Sequence, residues 1–309
     1  MKAVVYTEYG PPSVLRLTDI AKPVPKPNEA LVRVYASSVT AGGCWVRQGA
    51  FPDSRWLTFF LRLFFGITRP RRPVLGFEFS GVVEAVGKAV TQFVPGDAVY
   101  GTTTGLQQGA YAEYVCIPES WRLGVMALKP AELTFEESAA LPVGGMTAFQ
   151  NLQKAGIRQG QQVLVYGASG SVGTYAVQLA AYFGGRVTAA CSRANFALVK
   201  SIGADAVLDY AQEDMTRWAG HFDVVFDAVG KLPPSLGKRL VKKGGHFLTV
   251  KSMTDEKIEY LSALEAILAE GRLKAVIDRT YRLEDVVNAH AYVDLGHKKG
   301  NVVITVAQP

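Results

Sequence analysis

The residues of this chain best suited by type and spacing to bind and orient a reactant are Gly167, Ala168, Ser169, Gly170, Ser171, Val172 and Gly173. Val163–Leu164–Val165–Tyr166, a run suited to a buried strand, leads into them. Val172, Tyr175, Ala176, Leu179, Ala180 and Phe183 follow at the i, i+3, i+4 spacing of an amphipathic helix. A strand, a tight glycine turn and a helix start are what a dinucleotide pyrophosphate needs. Gly170 lets backbone approach the phosphates with no side chain between them, and Gly173 lets the helix pack on the strand. The helix N-terminus adds free N–H groups and the positive end of the dipole. Ala168 replaces the first glycine of the usual G-x-G-x-x-G, so the core reads A-x-G-x-x-G with Gly167 in front.

The next strand, Arg186–Val187–Thr188–Ala189–Ala190, ends at Cys191–Ser192–Arg193. An NAD site places Asp or Glu here to accept hydrogen bonds from the ribose hydroxyls. This chain has no acid until Asp205. Arg193 can pair with a 2′-phosphate and Ser192 can donate to it, so the expected coenzyme is NADPH.

These residues need a scaffold, and 309 residues allow one large domain or two ordinary ones. Apolar residues make up 49% and charged residues 19%, a globular composition. The net charge of +6 comes without any basic run longer than Arg69–Pro70–Arg71–Arg72, so no nucleic-acid partner is expected. Cys44, Cys116 and Cys191 are scattered, with no C-x-x-C, which excludes the usual cysteine-rich zinc sites and suits a reducing cytoplasm. The start reads as strand and not as a signal peptide. The most apolar stretch, Trp56–Phe65, is too short to span a bilayer, so no membrane partner is expected. It reads either as part of an apolar substrate lid or as an amphipathic helix packed on its own domain.

The first part, through about Ile117, is short strands broken by Pro and Gly, which predicts an antiparallel β domain. Thr134–Phe135–Glu136–Glu137 is a capping-box signature ahead of a helix through Leu141, and a second helix is predicted from about Gly145 to Lys154. Strands at Val163–Tyr166, Val187–Ala190, Ala206–Leu208, Asp223–Asp227 and His246–Val250 then alternate with helical stretches. That alternation predicts a parallel doubly wound sheet.

Short stretches in a fixed order carry a resemblance: Ser38–Val39–Thr40 with Arg47–Gln48–Gly49, Gly76–Phe77–Glu78, Leu141–Pro142–Val143–Gly144, the fingerprint, Asp209–Tyr210, and Asp227–Ala228–Val229–Gly230. The chain resembles the medium-chain dehydrogenase/reductase superfamily, and most of all its zinc-free quinone oxidoreductase branch. The resemblance implies an α/β protein: a GroES-like antiparallel β catalytic domain (1–125 and 275–309) plus a Rossmann doubly wound parallel-sheet domain (126–274). It also implies coenzyme contacts at Thr147, Tyr210, Ala228, Val229 and Gly230.

The zinc-dependent alcohol dehydrogenases of the superfamily have a Cys ligand where this chain has Thr40 and a His ligand where it has Phe77. Hydroxyl and phenyl cannot replace thiolate and imidazole, so no metal is expected. Thr40 stands where the quinone oxidoreductase pattern has Asn, and would hydrogen-bond substrate or nicotinamide. Gly43 stands where that pattern has Asp. His221, His246, His290 and His297 fall outside the matching motifs. The implied activity is zinc-free, NADPH-dependent hydride transfer to a quinone or α,β-unsaturated carbonyl. An alcohol or aldehyde dehydrogenase stays open as an alternative, as does a non-catalytic NADPH-binding protein acting in redox sensing or RNA binding. After residue 250 the chain runs almost directly into a helix over Asp255–Glu270, so one strand stands in for the family's two. That places the family's homodimer in doubt.

Overall fold

A computed structural model describes residues 1–51, 54–103 and 108–307. The chain packs as two units, the first comprising Met1–Pro142, Glu256–Ile258 and Ile277–Pro309 and the second Val143–Asp255 and Glu259–Val276.

In the first unit β1 (Lys2–Val5) pairs with β2 (Arg16–Asp19), and the long β3 (Glu29–Ser38) is followed by helices α1 (Ala41–Gln48) and α2 (Arg55–Phe65). Then come β4 (Glu78–Val86), β5 (Ala98–Thr102), β6 (Tyr114–Pro118), β7 (Met126–Leu128) and α3 (Phe135–Ala140). The capping box that starts α3 is complete, Thr134 Oγ1 accepting from the Glu137 N–H and Glu137 accepting from the Thr134 N–H. Residues 126–142, expected to open the nucleotide-binding part, belong to this unit, because β7 pairs with β5 and α3 packs on β3 and β4.

The second unit has α4 (Pro142–Ala155), β8 (Gln162–Tyr166), α5 (Ser171–Tyr182), β9 (Arg186–Cys191), α6 (Phe196–Ser201) and β10 (Ala206–Asp209). It continues with β11 (Phe222–Asp227), α7 (Pro234–Leu240), β12 (Val241–Thr249) and α8 (Ile258–Ala269). Its five strands are all parallel, in the order β10-β9-β8-β11-β12. The strand run Val163–Val165, the segment Ala189–Cys191 and Val224–Phe226 are buried on both faces, as helices on both sides of a parallel sheet require. The order reverses beside β8, and ligands of such sheets bind off the strand C-termini at that point. β12 is the edge, and the strand expected at His246–Val250 is what forms there. It starts at Val241, earlier than the His246 expected, because α7 ends directly against it.

The tail returns to the first unit. β13 (Ile277–Arg282), α9 (Val286–Asp294) and β14 (Asn301–Thr305) complete a seven-stranded sheet through antiparallel pairing of β14 with β3. That sheet is antiparallel apart from the β13–β14 pair, which runs parallel because α9 crosses between them.

Candidate functional site

The turn after β8 assigns each glycine a different duty. Gly167 has φ of +77°, where a side chain is strained, and a Cβ there would collide with Val229. The N–H groups of Gly167 and Ala168 both donate to the Ala190 carbonyl, at 2.9 and 3.1 Å. Because Gly167 absorbs the left-handed step, Ala168 can be a fully buried alanine. A Cβ at Gly173 would overlap the Gly167 carbonyl, so close packing of helix on turn requires glycine there. Gly170 differs from both. Its backbone is extended (φ −80°, ψ −179°), a conformation open to any residue. A Cβ there would meet only the Gly167 oxygen, at 3.6 Å.

Nothing among the described residues demands glycine at 170. Behind it the N–H groups of Val172 and Gly173 donate to no group among the described residues, and no side chain caps α5. These are the orphan amides of a helix start, facing ground that a side chain at 170 would fill.

The rim of this ground comes from β9 and the loop after it. Ser192 is half-buried, and Arg193 is exposed and makes no ion pair among the described residues. Asn195, which sequence reading passed over, is the link between the two loops. Its Nδ2 donates to Ser169 Oγ at 2.9 Å and to Ser192 Oγ at 3.1 Å. Its Oδ1 is buried without a partner, and an orphaned buried acceptor costs about 1–3 kcal/mol. Its position at the start of the helix after β9 was the available signal. Counting acids along the chain also missed Asp209, which lies in register with Cys191 on the neighbouring strand. Its Oδ1 accepts from the Ala211 N–H at 3.0 Å, holding the turn that presents Tyr210. The Tyr210 ring is 42% exposed, with its centroid 5.6 Å from that of Tyr166. Burial, followed by the negative Asp227, pushes the Tyr166 phenol above its ordinary value, so it stays neutral.

Asp227, at the end of β11, builds the opposite wall. Its Oδ1 accepts from the N–H groups of Val229 (3.2 Å) and Gly230 (2.9 Å), and its Oδ2 from Leu232 (3.1 Å). With Gly230 at φ +72°, this turn lays Val229 against Gly167 and leaves Ala228 bonded through its N–H to the Tyr166 carbonyl. The structure thus gathers Gly167–Gly173 with Ser192, Asn195 and Ala228–Gly230. Thr147 has a different surrounding. Its buried hydroxyl lies 3.0 Å from that of Thr254, and one turn on Gln150 Oε1 accepts the Asp255 N–H at 2.7 Å. The segment that follows the short sheet edge therefore lies along α4 and occupies the Thr147 hydroxyl.

Residues 26–129 match the alcohol dehydrogenase GroES-like domain family, and residues 171–290 the family described as zinc-binding dehydrogenase. The 2-methylene-furan-3-one reductase of Solanum lycopersicum is 33% identical over 98% of this chain and 79% of its own. The chloroplastic NADPH-dependent alkenal/one oxidoreductase of Arabidopsis thaliana is 30% identical over the same shares. The solved structure of the quinone oxidoreductase from Coxiella burnetii superposes with a TM-score of 0.85 at 29% identity, covering 99% of each chain. This chain belongs to the medium-chain dehydrogenase/reductase superfamily. Membership makes it an oxidoreductase that uses a nicotinamide dinucleotide, and the open, amide-lined ground before α5 fits that group's diphosphate.

The first unit of this dehydrogenase/reductase carries the residues expected to depart from the zinc pattern. Thr40 is the N-cap of α1, its Oγ1 accepting from the Gly43 N–H at 3.0 Å, which leaves the hydroxyl hydrogen to donate elsewhere. Phe77 is buried with its ring edge-on to Phe65. Cys44 Sγ lies 3.5 Å from His290 Nδ1, yet that nitrogen already accepts from Arg47 Nη1 at 3.1 Å. Burial and the Arg47 charge press the His290 imidazole down to about 3, so it is neutral and its Nε2–H donates to Tyr111 Oη at 3.2 Å. Tyr111 in turn donates to the Ser38 carbonyl at 3.0 Å, and Arg47 Nη2 pairs with Asp294 at 2.6 Å. Burial pushes the Cys44 thiol up to about 12, which makes it inert. Among the described residues no group of three or more His, Cys, Asp or Glu side chains is arranged to hold a metal ion.

Proposed function

We propose that this protein is an NADPH-dependent reductase of quinones or α,β-unsaturated carbonyls that works without zinc. The observation that carries the coenzyme reading is the space at Gly170, unfilled by any described residue and faced by the amides of Val172 and Gly173, which donate to none of them. Bound there, the coenzyme supplies a hydride. The start of α5 holds the diphosphate, Ser171 and Ser169 line the turn, and Asn195 Oδ1 accepts from a sugar hydroxyl. Arg193, exposed and without an ion-pair partner among the described residues, holds the 2′-phosphate with Ser192. Asp209 spends its Oδ1 on the Ala211 turn, which favours NADPH over NADH at this strand end. Ala228, Val229, Gly230 and Tyr210 flank the same coenzyme.

Quinones and enones are already electrophilic, so hydride delivery to them needs orientation more than a Lewis acid. Thr40 donates its remaining hydrogen to the carbonyl oxygen on which charge grows, and solvent supplies the proton. The names of the relatives, enone and quinone reductases, support this substrate class. A reducing compartment such as the cytoplasm suits the free Cys44, Cys116 and Cys191.

The test is coenzyme oxidation with an enone and with a quinone in chelator-treated buffer, NADPH and NADH in parallel. Chelator-insensitive turnover with preference for NADPH is expected. Turnover only with added zinc overturns the zinc-free reading, and tight NADPH binding without turnover on either acceptor overturns the reductase.

A further inference from the structure

A helix on a protein surface ordinarily has one apolar stripe, turned inward. α2 has two. Leu61 and Phe65 pack half-buried against the core of the first unit, and Arg62 Nε donates to the Gly49 carbonyl at 2.8 Å while its guanidinium lies over the Tyr9 ring. On the other side Trp56, Phe59, Phe60, Leu63 and Phe64, again at i, i+3, i+4 spacing, face solvent at 43–77% exposure, and Ile67 in the turn that follows is exposed as well. Apolar side chains gathered this densely on a surface mark a contact site.

The charges beside this stripe identify its occupant. From residue 54 to residue 77 the sequence contains Arg55, Arg62, Arg69, Arg71 and Arg72 and no Asp or Glu. Arg55, Arg69, Arg71 and Arg72 are exposed. A second copy docking face to face about a two-fold axis would bring these arginines against their own equivalents, with no acid in the segment to relieve them. An anionic bilayer offers both things the face lacks: acyl chains for the aromatic stripe and phosphates for the arginines. No helix among the described residues is long and apolar enough to cross a membrane, and the eleven residues of α2 suit lying in the interface instead.

We propose that the outer face of α2, with the arginines of the turn after it, seats this protein on the surface of an anionic lipid bilayer. The expectation of no membrane partner was drawn from the length of the stretch, and length excludes only a spanning segment.

The test uses the full chain with vesicles of phosphatidylcholine alone and of phosphatidylcholine mixed with phosphatidylserine. Co-sedimentation with the mixed vesicles is expected, weakened by salt, with a blue shift of Trp56 emission that is missing from the Trp56→Phe variant. Phe60→Ser/Phe64→Ser should abolish binding. Each arginine near an anionic surface contributes about fivefold, so Arg69→Gln/Arg71→Gln/Arg72→Gln should weaken binding about a hundredfold. Unchanged NADPH affinity in both variants verifies that they fold. Failure to bind either vesicle overturns the proposal, as does binding that both variants retain. Concentration-dependent dimers lost in Phe60→Ser/Phe64→Ser, without vesicle binding, would assign the face to a second copy instead.

Discussion

The two most chemically suggestive regions of this molecule differ in one respect, which is whether their polar groups already have partners. The cluster of Cys44, Arg47, Tyr111, His290 and Asp294 has the side chains of a reactive centre. Its hydrogen bonds nevertheless run in one closed direction, from Arg47 to His290 to Tyr111 to the Ser38 carbonyl. The turn at Gly167–Gly173 has almost no reactive side chains, but among the described residues it leaves two amides and the Asn195 oxygen unpaired. A satisfied network holds a fold together, whereas an unsatisfied one is a place for a ligand.

Breaking the closed network should have the largest effect. Arg47→Met leaves His290 without its donor and Asp294 with Gln48 alone, and should cost about 3–5 kcal/mol in urea denaturation, with unchanged coenzyme affinity in the protein that still folds. A loss under 1 kcal/mol would show that the network is not what secures α1 to α9.

In the open region the signs reverse. Gly170→Val should leave stability within about 0.5 kcal/mol, since the chain has room for the side chain. It should weaken NADPH binding about a hundredfold, measured by fluorescence titration. Gly173→Ala, by contrast, should lower the unfolding midpoint, because its Cβ overlaps the Gly167 carbonyl. If both substitutions behaved alike, the division of duties between the glycines would be wrong.

A smaller effect is expected at the rim. Arg193→Gln should weaken NADPH about tenfold, the loss of one charge-assisted hydrogen bond, and leave NADH unchanged. Equal loss for both coenzymes would remove the 2′-phosphate from its role.

A last test reads the pH dependence of stability. His290 has its folded value pressed from 6.5 to about 3, so the unfolded chain binds the extra proton in that interval. Its contribution is complete above about pH 6.5 and declines as pH falls toward 3. His290→Gln should therefore show a shallower acid limb in melting temperature between pH 4 and 6.5. An identical limb would mean that His290 is protonated in the fold.

Much of the second unit was legible because its signals are local. The strand Val163–Tyr166, the fingerprint and the helix behind it occupy consecutive positions, and period and glycine placement report such elements directly. The capping box at Thr134 and the strand after α7 were legible for the same reason. Asn195 was not, and neither was the place of Asp209 beside Cys191. Their importance comes from neighbours brought by strand pairing, Ser169 in one case and Cys191 in the other, and no chain-local pattern encodes those distances.

By itself the sequence determined the family, the alternation that makes a parallel sheet, and the absence of thiol and imidazole at Thr40 and Phe77, because each is a matter of residue type and order. Only the tertiary structure decided which of three glycines faces open space and which are required by packing. It also decided that Cys44 and His290 are sealed by Arg47, that Thr147 spends its hydroxyl on Thr254, and that one face of Trp56–Phe65 packs half-buried against the core while the other stays bare. Residue type states what a group can do. What it is free to do depends on which partners folding brings to it.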